Sequence, residues 1–74
     1  MAVRKDYYVH GMSCEHCVHA VTEELVALDA VRAVEVDLHP DGNSKVTVTS
    51  EAPLADGDVA AAIDEAGYDF VGAA

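Results

Sequence analysis

The sequence predicts an α+β fold of the ferredoxin-like kind, β-α-β-β-α-β, with two helices covering one face of a four-stranded antiparallel sheet. Three observations point to it. Some stretches alternate apolar and polar residues, two others repeat apolar residues at three- and four-residue steps, and turn-forming residues separate them.

The elements follow in order. Lys5-Asp6-Tyr7-Tyr8-Val9-His10 is rich in strand formers and stops at Gly11, which makes it the first strand. From Cys17 to about Leu28, Val18, Val21, Leu25 and Leu28 recur at helical spacing opposite Thr22, Glu23 and Glu24, with Ser13 as the expected cap. Over residues 31–39, Val34, Val36 and Leu38 face one way and Glu35, Asp37 and His39 the other, the period-two pattern of a half-buried strand. Pro40-Asp41-Gly42-Asn43 turns the chain into Lys45-Val46-Thr47-Val48-Thr49, so that Val46 and Val48 point inward and a hairpin forms. Pro53 ends it. Asp56 is the expected cap of a second helix carrying Val59, Ile63 and Ala66 on one face, Gly67 terminates that helix, and Tyr68 to Val71 forms the last strand. Because chain direction alternates, the 11–16 loop, the 40–43 turn and the Gly67-Tyr68 junction leave the sheet at one end. That topology makes neighbours of Cys14, Cys17 and Tyr68, with His39 and Asp41 close by.

Seventy-four residues form one domain, 1–74. Four Lys plus Arg against 14 Asp plus Glu give a net charge of −10, which excludes a binder of phosphate backbones, so nucleic acid is not an expected partner. No apolar run approaches the ~18 residues of a membrane span, and residues 1–6 lack the apolar core of a signal peptide. A cytoplasmic chain without membrane insertion is expected. Composition is 51% apolar but only 5% aromatic, so the core is built from Val, Ala, Leu and Ile and stability should be modest. The acidity fits either a halophilic surface, screened at molar salt, or a face that docks a basic partner.

Both cysteines lie in Cys14-Glu15-His16-Cys17. Without a secretory signal, and with so short a loop to close, they are not a structural disulfide but a chemical or metal-binding pair. Cys14 in the loop and Cys17 in the first helical turn can place two sulfurs on one ion, and the helix start should favour the Cys17 thiolate. Soft thiolates select Cu(I), whereas Zn(II) normally takes four ligands. The histidines are not expected to supply the missing two. His19 lies about 200° around the helix from Cys17, His16 points to solvent, and His10 and His39 sit at strand ends on the solvated side. No Ser-His-Asp set, catalytic carboxylate pair or phosphate loop is present. The chain is therefore not expected to be an enzyme. A thiol–disulfide oxidoreductase is the one enzymatic alternative, but it lacks the Pro-flanked, aromatic setting usual for such motifs.

Gly11-Met12-Ser13-Cys14-Glu15-His16-Cys17, then Val21 and Leu25, Ala30-Val31 before a Val-rich strand, and Ala66-Gly67-Tyr68 near the end together resemble the heavy-metal-associated (HMA) domain family over about residues 5–72. The resemblance implies a small copper chaperone of the bacterial and archaeal type. Cys14 and Cys17 would ligate Cu(I), Met12 would support the loop from beneath, Ser13 would precede the first ligand, and Tyr68 would pack beside the metal. It also implies transfer of copper to a partner CxxC, that of a copper-transporting P-type ATPase, and it allows a copper-bridged homodimer. Zinc and cadmium members often carry an acidic residue where Ser13 stands, which favours copper here, while mercury-binding relatives share the CxxC. A start at Met1 and an end soon after the last strand fit a free-standing chaperone, with the amino-terminal module of such an ATPase as the alternative.

Overall fold

The computed structural model describes residues 2–73. Strands β1 (Val3–His10), β2 (Val31–Asp37), β3 (Asn43–Ser50) and β4 (Asp69–Ala73) form one antiparallel sheet in the order β2-β3-β1-β4. Helices α1 (Glu15–Val26) and α2 (Asp56–Glu65) follow β1 and β3. This is the expected βαββαβ architecture.

Period-two burial builds the core. Tyr7 and Val9 of β1 and Val46 and Val48 of β3 are almost wholly buried, and Tyr7 sits opposite Val46 in the register. Val21 and Leu25 of α1 and Val59 and Ile63 of α2 close over them. The Tyr7 ring meets Phe70 at a centroid distance of 5.9 Å, which ties β4 to β1 inside the core. Ser44 is buried among these apolar residues because its hydroxyl accepts the backbone N–H of His39 at 3.0 Å, holding the turn between β2 and β3.

Several boundaries differ from expectation. β1 starts at Val3 and β3 runs to Ser50 because these two residues pair across the ladder, while β2 stops at Asp37 where the 38–42 turn begins. α1 ends at Val26, and the N–H of Leu28 bonds back to the Leu25 carbonyl at 3.0 Å, a tightened last turn that still leaves Leu28 packed on the core.

Both expected caps need correction. The N-cap of α1 is Cys14, extended at φ −153° and ψ 175°, so Ser13 lies one residue too early to cap. The N-cap of α2 is Ala55, and Asp56 is already the first helical residue. Its carboxylate pairs instead with the Lys5 ammonium at 2.9 Å. The end of α2 is as expected. Gly67 adopts φ +93°, its N–H bonds to the Asp64 carbonyl at 2.9 Å, and the Tyr68 N–H reaches the Ile63 carbonyl at 3.2 Å. This paired closure needs the left-handed residue that glycine supplies, and it places Tyr68 directly after it.

All four Lys and Arg side chains are spent in surface ion pairs, Arg4 with Glu35, Lys5 with Asp56, Arg32 with Glu51 and Lys45 with Asp6. Ten carboxylates of the described residues are left without such a partner. No described helix is long and apolar enough to cross a membrane.

Candidate metal site

β1 leaves the sheet at His10, and Gly11 turns the chain at φ +95°. Met12 then drops into the core beneath the loop with no exposed surface. Ser13 remains exposed on the way to Cys14. The Cys14 carbonyl accepts the N–H groups of Cys17 (3.1 Å) and Val18 (3.3 Å) and so starts the helix. The two thiols that this loop presents are 3.6 Å apart and both free. They are unequal, since Cys14 is exposed whereas Cys17 keeps only 8% of its surface accessible.

The Cys17 sulfur is surrounded by donors. The Tyr68 hydroxyl contributes most, followed by the backbone N–H groups of Ser13 and Cys14, and the Cys14 thiol adds a further hydrogen bond. Together they outweigh desolvation and lower the Cys17 pKa from 9.0 to about 6. Cys17 is thus a thiolate at neutral pH. The same contact raises the Tyr68 pKa, keeping its hydroxyl protonated and able to donate. A lowered Cys17 pKa is expected from the helix start, but the leading cause is a side chain 51 positions away in the chain, which local sequence does not reveal.

At Ser13 it is the backbone N–H that bonds to the Cys17 sulfur. The four histidines have other surroundings. His10 Nδ1 lies 3.3 Å from Asn43 Oδ1, His39 Nε2 lies 3.0 Å from Asp37 Oδ2, and His16 and His19 are exposed on α1. His39 and Asp41 line a hollow of about 430 Å³ with Tyr8 and Lys45, and neither cysteine belongs to it. Among the described residues no three His, Cys, Asp or Glu side chains converge as a metal-binding group. The arrangement is a two-sulfur one, suited to an ion content with low coordination and poorly suited to one that wants four ligands.

Known proteins resemble this chain in sequence and fold. The heavy-metal-associated domain family matches residues 6–69. The copper chaperone CopZ of Bacillus subtilis (strain 168) is 43% identical over 67 residues, spanning 89% of this chain and 93% of that one. A structure of a CopZ metallochaperone superposes with a TM-score of 0.78 at 31% identity, covering 93% of this chain and all of the other. The N-terminal domain of ZntA in its apo form superposes with a TM-score of 0.82 at 25% identity, covering 97% and 93%. With the profile spanning nearly every element and the CopZ likeness running through the cysteine loop, the chain belongs to the heavy-metal-associated domain family.

Proposed function

We propose that this chain is a cytoplasmic copper chaperone, working as one module, that holds Cu(I) between Cys14 and Cys17 and passes it to the CxxC of a copper-transporting P-type ATPase by thiolate exchange. The observation that carries this reading is the asymmetry of the pair: a nearly buried Cys17 thiolate held by three donors beside an exposed Cys14. An ion held linearly at metal–sulfur distances of about 2.3 Å needs its sulfurs about 4.6 Å apart, so the pair must open from 3.6 Å, and exposed Cys14 is free to turn. An incoming thiolate reaches the metal from the Cys14 side while Cys17 retains it. Cys14 then leaves, the second thiolate of the acceptor binds as Cys17 leaves in its turn, and the reverse order loads the protein. Met12 sets the height of the loop, the Ser13 N–H and the Tyr68 hydroxyl offset charge at Cys17, and no bond other than metal–sulfur changes.

The chemistry is therefore binding and delivery rather than catalysis, and it needs a reducing compartment to keep both thiols free. The copper chaperones among its relatives support the choice of cargo. The exposed Cys14 also supports a copper-bridged dimer of two copies, as an off-pathway store. Likeness to the N-terminal domain of ZntA favours a second reading, a metal-binding module of a larger transporter, with the same two ligands.

Anaerobic Cu(I) competition against a chromophoric chelator, with Zn(II) in parallel, tests the proposal. One tight Cu(I) per chain is expected, lost in Cys14→Ser and in Cys17→Ser and not displaced by excess Zn(II). Preference for Zn(II), or tight Cu(I) binding that survives either substitution, would overturn it.

A further inference from the structure

We propose that Asp41 is a site of spontaneous backbone modification, at which the turn between β2 and β3 rearranges through a cyclic imide to an isoaspartyl linkage, while the fold blocks the same closure at Asp56. Such rings form where Asp or Asn precedes a small residue, because little side chain obstructs the attacking amide nitrogen. The chain has three places where Gly or Ser follows, Asp41-Gly42, Asn43-Ser44 and Asp56-Gly57. At Asp41 the Gly42 nitrogen bonds to Cγ, a carboxyl C–O bond breaks, and the amide proton and the carboxyl O–H depart together as water. Water then opens the imide at either carbonyl. Cleavage of the new N–Cγ bond restores Asp, whereas cleavage at the main-chain carbonyl leaves the chain running through the side chain.

Closure requires the Asp ψ to swing until the following nitrogen reaches Cγ, so local backbone freedom selects among the three. His39 to Gly42 form a turn closed by the Gly42 N–H on the His39 carbonyl at 3.1 Å. Pro40 stands second, and no described residue other than glycine has a positive φ, which makes this a type I turn. Asp41 is exposed, none of the Lys and Arg ion pairs includes its carboxylate, and the Gly42 α-carbon faces open space. Opening one exposed turn bond therefore frees both reacting groups.

Asp56 has the same neighbour and is equally exposed, but it is held. It lies inside the first turn of α2, spanned by the bonds from the N–H groups of Asp58 (3.0 Å) and Val59 (3.3 Å) to the Ala55 carbonyl, and its carboxylate is drawn to the Lys5 ammonium at 2.9 Å. Swinging its ψ unwinds the helix start. Asn43 is fixed in the β1–β3 ladder opposite His10, its Oδ1 lies 3.3 Å from His10 Nδ1, and Ser44 behind it is buried.

The product also acts on the hairpin. An isoaspartyl residue adds one methylene to the main chain between His39 and Ser44, the two residues joined by the 3.0 Å bond from the His39 N–H to the buried hydroxyl. The longer turn parts them. None of this depends on the copper reading, because no cysteine takes part.

The test is prolonged incubation of the full reduced apo chain in warm, mildly acidic buffer, with isoaspartyl groups located by enzymatic methylation and peptide mass spectrometry. A parallel sample is kept unfolded in urea. In the folded chain the group should accumulate at position 41 at least about tenfold faster than at 56, because reaction follows the population of the locally opened backbone. In urea the two positions should react at similar rates. Gly42→Ala, whose added methyl meets no neighbour, should slow closure at 41 and keep the fold. Hydrogen exchange on the isolated product should show loss of His39 amide protection. Equal rates at 41 and 56 in the folded chain, a preference for 41 that persists in urea, no reaction at 41 while the unfolded chain reacts, or a product with unchanged His39 protection would overturn the proposal.

Discussion

At the start of α1 the residue before the helix is Cys14, and at the start of α2 it is Ala55. Both are extended, neither caps through its side chain, and each uses its carbonyl to accept the N–H groups three and four residues on. The two starts also occupy equivalent places, each after one of the two central strands. Yet α1 gathers donors around a thiolate, whereas α2 presents Asp56 and Asp58, and Lys5 covers Asp56. A helix start offers a general preference for negative charge. What makes one of them a candidate metal site is the cysteine pair together with Tyr68, brought in from the turn after α2.

The largest effect expected in this comparison comes from the residues beneath the two loops. Met12→Ala empties a fully buried position and should cost about 2–5 kcal/mol in denaturant unfolding of the apo chain. Leu54→Ala under the α2 start removes a half-buried side chain and should cost about half as much. Equal losses would mean that the α1 loop is no more tightly anchored than its counterpart.

Next is the titration of Cys17, followed by the pH dependence of alkylation. The wild-type midpoint should lie near 6, and Tyr68→Phe should move it up toward 9.0, because the leading donor is gone. The folded pKa is depressed relative to the unfolded thiol. Its contribution to stability is therefore present in full above pH 9.0 and is lost as pH falls through about 6. The apo chain should accordingly gain stability between those values relative to Cys17→Ser, and Tyr68→Phe should flatten the gain. An unmoved midpoint in Tyr68→Phe would return the leading role to the helix start itself.

A smaller effect is expected from salt. Because ten carboxylates lack a Lys or Arg partner, molar KCl should raise the melting temperature of the apo chain by screening their repulsion. A chain equally stable at low and molar KCl would remove the halophilic reading of its composition. The smallest effect belongs to Asp56→Asn. It breaks an exposed pair with Lys5 and should leave Cu(I) affinity unchanged and the melting temperature nearly so. A loss of copper affinity there would show that the two helix starts are coupled.

Element order was legible because burial in a sheet of this kind has a period of two and in a helix about 3.6, and Val34/Val36, Val46/Val48 and Val21/Leu25 display those periods in the sequence. Helix starts were not. Ser13 and Asp56 both have good capping side chains, but a cap contributes only about 1 kcal/mol, less than the loop geometry imposed by burying Met12 and by docking the first turn of α2. The histidines were legible one by one against the cysteines.

The sequence by itself determined the alternation of elements, the pair of cysteines at a helix start, and the glycine that closes α2, because each depends on contacts within a few residues. Only the tertiary structure decided that the Tyr68 hydroxyl and two loop N–H groups converge on Cys17, that Cys14 stays exposed, and that Lys5 reaches Asp56. The Tyr68–Cys17 and Lys5–Asp56 contacts join residues distant in the chain. Their geometry is set by how the helices pack on the sheet, and the local pattern of side chains does not record it.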